Sequence, residues 1–152
     1  MDHFNLTMLE KLCALLFFLT RSKTEFEMVA DEVEDCNLKT ALNGLSSESD
    51  QYANEITTQL KALGINGFLP KNFFDDCDSQ NETLSVQTES KRGNELMNIC
   101  NTTEDTITKA YYEILNEYLP FANLRDIMTY QINSLKLAFM KIKTLNTARF
   151  SH

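Results

Sequence analysis

The amino-acid sequence predicts an all-α protein, a four-helix bundle built from two antiparallel helical hairpins that a long crossover joins. The chain of 152 residues is 43% hydrophobic and contains only 4 Gly and 2 Pro, so it can bury a core and has few residues that interrupt helices. Apolar residues recur at intervals of three and four along four long stretches, which is the spacing of one helix face. Residues 64–93 lack this spacing. We therefore expect one domain that covers residues 1–152.

The first two apolar stretches predict helices near residues 7–35 and 38–63. Gly64 follows the second stretch directly and is expected to end that helix, since glycine is the residue most common just past a helix C-terminus. Only a few residues separate the two helices. They are therefore expected to lie antiparallel as a hairpin.

The last two stretches predict helices near residues 94–118 and 123–147, separated by Pro120. Asn123 is the expected N-cap of the fourth helix, with Asp126 three residues later. Between the hairpins, residues 64–93 form the crossover, in which Glu82 to Glu89 fit a short helix. Two hairpins joined by such a link have the connectivity of ferritin-like bundles.

Three segments carry a resemblance to a known family: residues 37–52, with Asn37-Leu-Lys-Thr-Ala-Leu-Asn-Gly-Leu, residues 102–113, with Lys-Ala-Tyr-Tyr-Glu, and Leu119-Pro120 with the helix that follows. In order and spacing, roughly over residues 8–147, the chain resembles a bacterial ferritin-like family whose members are mostly of unknown function. The resemblance implies an up-down ferritin-like four-helix bundle. It implies no particular reaction.

Ferritin-like di-iron proteins place one Glu on each of two helices and a Glu-x-x-His on each of the other two. Here the only histidines are His3 and His152, close to the two ends of the sequence. Phe139 stands where the resemblance suggests that some relatives carry His. A redox-active di-iron site is therefore disfavoured, and no iron or other cofactor is expected.

Two internal glutamates remain as candidate ligands. Glu48 is followed three residues later by Gln51, and Glu104 by Ile107, so neither begins a Glu-x-x-His pair. One hypothesis is a weaker all-oxygen site for Mg²⁺, Ca²⁺ or Mn²⁺ that uses both glutamates. The favoured interpretation is that both are solvated or pair with Lys23.

Six polar residues are expected nearest the bundle interior, namely Lys23, Glu48, Tyr52, Glu104, Tyr111 and Gln131. Tyr52 and Tyr111 would line an apolar pocket if the bundle were a small-molecule carrier, whereas otherwise their rings simply fill the core. In the crossover, Asp76 and Asp78 begin like a calcium loop. The loop then lacks the required Gly and Glu, so we interpret it as a solvated segment.

Charge and cysteine content exclude several classes of function. The net charge is −8, with 14 Lys and Arg against 22 Asp and Glu, so nucleic acid and membrane surfaces are poor partners. Residues 121–152 are locally basic, with five basic side chains and one acidic. The four cysteines, Cys13, Cys36, Cys77 and Cys100, form no Cys-x-x-Cys pair and are expected to be free thiols. The apolar run 12–19 is too short to cross a bilayer, and a cytoplasmic location is expected.

The aromatic residues suggest a homodimer as one alternative. Phe17 and Phe18 are adjacent and cannot both face the same core. Either the crossover, with Phe68, Phe73 and Phe74, covers the second ring, or another subunit does. No internal His activates a nucleophile and no Gly-rich loop binds phosphate, so the sequence predicts binding or protein association rather than catalysis, with no catalytic, cofactor-binding or metal residues.

Overall fold

The computed structural model describes residues 6–64, 93–117 and 119–149, and these residues form four α-helices with no strand. The helices are α1 (Leu6–Glu32), α2 (Cys36–Ala62), α3 (Gly93–Leu115) and α4 (Ala122–Arg149). The predicted all-helical class and the four helices are confirmed for this part of the chain. Residues 65–92, with the expected short helix, the calcium-like run and the crossover aromatics, lie outside the described residues, as do both histidines.

The turn between α1 and α2 is fixed by a side-chain cap. Asp35 has extended backbone dihedrals (φ −65°, ψ 120°), and its carboxylate accepts a hydrogen bond from the Leu38 backbone N–H at 2.9 Å. Such a cap stabilises a helix by about 1 kcal/mol. Because the cap begins α2 at Cys36, α1 already ends at Glu32, three residues before the predicted end.

The C-terminus of α2 closes as predicted at Gly64. The Leu63 N–H donates to the Gln59 carbonyl at 3.0 Å, and the Gly64 N–H donates to the Lys61 carbonyl at 3.0 Å. Gly64 has φ +75°, a left-handed conformation that glycine adopts without steric cost. The helix therefore ends where the sequence places the glycine.

The turn between α3 and α4 differs from the prediction. The last helical residue of α3 is Leu115, not residue 118, and α4 begins at Ala122. The Phe121 carbonyl accepts the Arg125 N–H at 3.0 Å, which makes it the first acceptor of α4. The prediction that Asn123 is the N-cap is therefore wrong, because the backbone becomes helical before it and Asn123 lies in the first turn.

The helices pack in the circular order α1, α2, α4, α3, and each contacts its two neighbours. Polar contacts between facing residues fix the directions of three helix pairs. They join Lys11 to Glu117 and Glu25 to Thr103, Glu48 to Ser134 and Glu55 to Gln131, and Tyr111 to Gln131 and Glu104 to Lys143. Within each pair of helices the residue number rises on one helix as it falls on the other, so all neighbouring helices are antiparallel, α1 and α2 included. It follows that α2 and α3 run in the same direction, and that the end of α2 and the start of α3 lie at opposite ends of the bundle.

The core is built from leucine and isoleucine side chains of all four helices. At its centre the rings of Phe26 on α1 and Phe139 on α4 pack edge to face, with centroids 5.9 Å apart. Phe17 and Phe18 are half-buried, and the Arg21 guanidinium lies over both rings at 5.5 and 5.6 Å. Arg21, a residue of the same helix, therefore covers part of these two rings. The sequence had left open whether the crossover or another subunit covers the second ring.

Among the described residues, no helix combines the length and the apolar composition needed to cross a membrane.

Candidate functional site

A row of buried polar side chains crosses the bundle interior from α3 to α4 to α2. Gln131 on α4 has no solvent exposure. The Tyr111 hydroxyl donates to the Gln131 amide oxygen at 2.9 Å, and the Gln131 amide nitrogen donates to Glu55 Oε1 at 3.0 Å and to the Tyr52 carbonyl oxygen at 3.3 Å. Both ends of this amide are therefore paired, as a buried polar group requires.

A second branch of this polar row centres on Glu48. Its Oε2 atom accepts from the Tyr52 hydroxyl at 2.6 Å and from the Ser134 hydroxyl at 2.5 Å. Glu48, Tyr52 and Glu55 are spaced by four and three residues, so α2 presents all three on the side that faces α4. We call Glu48, Tyr52, Glu55, Tyr111, Gln131 and Ser134 the interior polar network.

The two tyrosines of the network act as hydrogen-bond donors. Burial raises the pKa of Tyr111 well above the usual range of a phenol. Burial also raises the pKa of Tyr52, and the hydrogen bond to the Glu48 carboxylate raises it further. Both phenols are therefore protonated at neutral pH, so neither supplies a phenolate base or nucleophile. This chemistry suits a structural network.

Glu104 lies in a separate cluster near the other end of α4. Its carboxylate forms an ion pair with Lys143. The fully buried Cys100 lies one turn away on α3, and burial raises the pKa of its thiol to about 12, with the Glu25 carboxylate adding to the effect. Thr103 donates to Glu25 at 2.8 Å. A thiol held neutral in this way is a packing group rather than a nucleophile.

The geometry does not bring Glu48 and Glu104 together. Their partners on α4, Ser134 and Lys143, are nine positions apart, which is about 13 Å along a helix axis. Two carboxylates that share one metal ion lie within about 5 Å of each other, given ligand bonds of about 2.0 to 2.6 Å. Within the described residues, no three His, Cys, Asp or Glu side chains are grouped so that they could hold a metal ion.

Glu48 and Glu104 are expected to be solvated or to pair with Lys23, but the structure instead gives both glutamates partners on other residues: Tyr52 and Ser134 for Glu48, and Lys143 for Glu104. The Lys23 ammonium pairs with Glu27 at 3.3 Å on its own helix, a contact that i,i+4 spacing favours. Glu48 and Glu104 both face α4, whereas Lys23 lies on α1. Of the six expected interior residues, the structure joins Glu48, Tyr52, Tyr111 and Gln131 in one network and places Lys23 and Glu104 in separate ion pairs.

Ser134 and Glu55 are two members of the interior polar network that were not predicted from the sequence. Their spacing is consistent with a place on the same helix faces, since Ser134 lies one helical turn after Gln131 and Glu55 lies one turn after Tyr52. Serine and glutamate are common on solvated helix faces, so composition gave no reason to select these two.

Described residues line two surface grooves of the bundle. One, of about 560 Å³, lies between α1 and α3, with Ala14, Phe18 and Ala110 among its lining residues. The other, of about 470 Å³, runs along α2 and reaches Ile127 of α4. Tyr52 and Tyr111 line neither groove, and both are buried. These tyrosines therefore do not mark either groove as the pocket that a carrier would need.

The outer face of α4 is apolar and exposed. The described part of the chain has four exposed large hydrophobic residues, and three of them are on this face: Tyr130, Leu137 and Met140, with 65%, 67% and 61% of their surface accessible. Asn133 and Thr144 complete the same face at helical spacing. We call these five residues the α4 outer stripe. It lies opposite the buried Ile132, Leu135 and Phe139.

Comparison with models of protein families, with characterised proteins and with solved structures finds no significant match to this chain.

Proposed function

We propose that this chain is a ferritin-like bundle without a di-iron site, and that it acts by binding another protein through the α4 outer stripe. The observation that carries the proposal is the exposure of Tyr130, Leu137 and Met140 on one face of one helix. Single exposed apolar residues are ordinary on protein surfaces, but several on one face are typical of interaction sites.

The energetics favour a partner on this face. Covering a side chain of the size of Leu or Met stabilises a complex by about 1.5 to 3 kcal/mol. The three large side chains of the stripe lie at positions 130, 137 and 140 of α4. The ten steps from the first to the last span about 15 Å along the helix axis, which fits the contact length of a helix of a few turns. Tyrosine and methionine are also enriched at protein interfaces.

The interior polar network supports this function by holding α4 in place. Gln131 and Ser134 lie on α4 and bond to α2 and α3, on the side of α4 away from solvent. Because each side chain of the interior polar network has a defined partner, sliding α4 by one turn would leave several of them unpaired. The network thus fixes the rotation and height at which the stripe faces solvent.

Site-specific photo-crosslinking in cells that naturally produce the protein tests the proposal. A photoreactive amino acid is placed at Leu137 or Met140, and at the exposed control positions Asn43 on α2 and Asp105 on α3. We expect one discrete crosslinked protein from positions 137 and 140 and none from the controls, with the crosslinked segment mapped by mass spectrometry. Equal crosslinking at all four positions, or none at 137 and 140, would contradict the proposal.

A further inference from the structure

We infer that the partner of the α4 outer stripe is an acidic amphipathic helix. This inference rests on the proposed function and adds the chemistry of the partner. It follows from the spacing of the stripe, from the charges that border it and from the ion pairs that leave some of those charges unneutralised.

The stripe has the spacing of a coiled-coil seam. Its members, at 130, 133, 137, 140 and 144, are separated by three, four, three and four residues. In heptad terms Tyr130, Leu137 and Thr144 take a positions, and Asn133 and Met140 take d positions. Such a face is shaped to receive the side chains of one more helix. A polar Asn in the seam is a known means of fixing the register of the two helices.

Three of the four residues that flank this seam are basic. The e and g positions between Tyr130 and Thr144 are Ser134, Lys136, Lys141 and Lys143, and this stretch of α4 contains no acidic residue. Lys143 is neutralised by Glu104. The Lys136 ammonium donates to the neutral Tyr112 hydroxyl at 2.9 Å, so its charge has no carboxylate partner there.

Lys141 is exposed on the stripe side of α4. Within the part of the chain that the structure describes, no carboxylate pairs with Lys136 or Lys141, so these lysines place positive charge beside Leu137 and Met140.

The two half-buried carboxylates on the α2 side of α4 bond to neutral donors. Glu48 accepts from Tyr52 and Ser134, and Glu55 accepts from Gln51 and Gln131. Both keep their negative charge, but neither forms an ion pair with Lys136 or Lys141. The net charge of −8 opposes an acidic partner only at long range, because screening at physiological salt acts over about 8 Å. Lys136 and Lys141 occupy g and e positions of the seam, where they face the flanking residues of a bound helix.

A second copy of this chain fits the stripe poorly. In a parallel pair the g residue of one helix faces the following e residue of the other, which brings Lys136 against the second copy's Lys141. In an antiparallel pair e faces e and g faces g, and again lysines meet lysines or serines. A helix with Glu at these positions instead forms ion pairs on both sides of the seam, so charge selects an acidic partner over self-association.

Peptide binding tests the inference. Two fluorescein-labelled helical peptides of three heptads share leucine at a and d positions and differ only at e and g, which are all Glu in one and all Lys in the other. Fluorescence anisotropy with the full-length protein is expected to show the Glu peptide binding at least about tenfold more tightly at 0.1 M salt, with the difference shrinking at 0.5 M.

Charge reversal on the protein is the second arm. The K136E/K141E variant is expected to prefer the Lys peptide, whereas K61E/K109E, which makes the same change in net charge at exposed positions on α2 and α3, keeps the original preference. Leu137→Ser should lower the affinity for the Glu peptide at least about tenfold without changing the circular dichroism spectrum of the bundle.

Several outcomes would overturn the inference. They are equal binding of both peptides, binding of neither, a preference that K61E/K109E also reverses, or a dimer in sedimentation that Leu137→Ser dissociates. If crosslinking at positions 137 and 140 succeeds while the Glu peptide fails, the interaction face stands and the partner chemistry is wrong. If crosslinking itself fails, the proposed function is wrong.

Discussion

Gln131 illustrates how one buried polar residue can connect three helices. Its amide oxygen accepts from Tyr111 on α3, and its amide nitrogen donates to Glu55 and to the Tyr52 carbonyl on α2. An amide left unpaired in the core would cost about 1 to 3 kcal/mol. Pairing both ends removes this cost and gives α4 a defined position against both of its neighbours.

Cys100 is expected to make the protein less stable as the pH rises in the alkaline range. Burial raises the pKa of its thiol in the folded state from the ordinary value of 9.0 to about 12. The unfolded chain therefore loses this proton first, so the thiol's contribution to stability is complete well below pH 9 and declines as the pH rises toward 12. Each pH unit in that window lowers the free energy of unfolding by up to about 1.4 kcal/mol. Between pH 8.5 and pH 10 we expect the free energy of unfolding of Cys100→Ala to fall by about 1 kcal/mol less than that of wild type.

Urea unfolding under reducing conditions at several pH values measures this difference. Cys36→Ala, which removes an exposed thiol, is the matched control. The same decline with pH in wild type and Cys100→Ala would show that the thiol is not buried as described.

Residue by residue, the sequence predicts burial better than it predicts bonding. The apolar spacing placed Tyr52, Tyr111 and Gln131 near the interior, and all three are buried. The same spacing did not show that Glu48 faces α4, because the partner of a polar side chain depends on how the helices are rotated against one another. Lys23 shows this limit, since a carboxylate of its own helix is closer to it than either candidate glutamate.

Two glycines in or next to α2 are predicted to have opposite effects when replaced by alanine. Gly44 lies within the helix, and a Cβ atom built there meets nothing within 4 Å. Gly44→Ala should therefore raise the free energy of unfolding by about 0.5 to 1 kcal/mol. At Gly64 the space is also free, but φ is +75°, and Gly64→Ala should cost about 1 kcal/mol.

Chemical denaturation of both variants checks these signs. Gly64→Asn is the control for backbone strain, because asparagine tolerates the left-handed conformation better than alanine, and its cost should be smaller. A destabilised Gly44→Ala or a neutral Gly64→Ala would contradict the assignment of these two positions.

The number of helices was easier to predict from the sequence than the residues at which each helix begins and ends. Long apolar stripes predicted all four helices, because burying one face requires the same spacing along the whole length. Ends depend on single hydrogen bonds. Gly64 was predictable because one residue type dominates that position, whereas Asp35 competes with several acidic neighbours for the role of cap, and the Phe121 carbonyl has no signature in the sequence.

The arrangement of the whole molecule follows from helix direction. Neighbouring helices are antiparallel, so α2 and α3 run the same way, and the chain between residues 62 and 93 must connect opposite ends of the bundle. Two hairpins joined by short loops only would have placed α3 antiparallel to α2. The length of the aperiodic segment predicts such a connectivity, because a short loop could not join opposite ends of the bundle.

The circular order of the helices also decides whether the two candidate glutamates share a metal ion. Glu48 on α2 and Glu104 on α3 lie on diagonal helices and bond to α4 at positions nine residues apart. We therefore expect that iron or manganese retained after loading and gel filtration, measured by mass spectrometry, is the same in wild type and in Glu48→Gln/Glu104→Gln. Glutamine at both positions removes the charge that a metal ion requires but keeps an oxygen that accepts hydrogen bonds, so the bundle should remain folded. Stoichiometric metal in the wild type that the double variant loses would contradict this prediction. It would require the two carboxylates to lie within reach of one ion, whereas their bonding partners on α4 are nine residues apart.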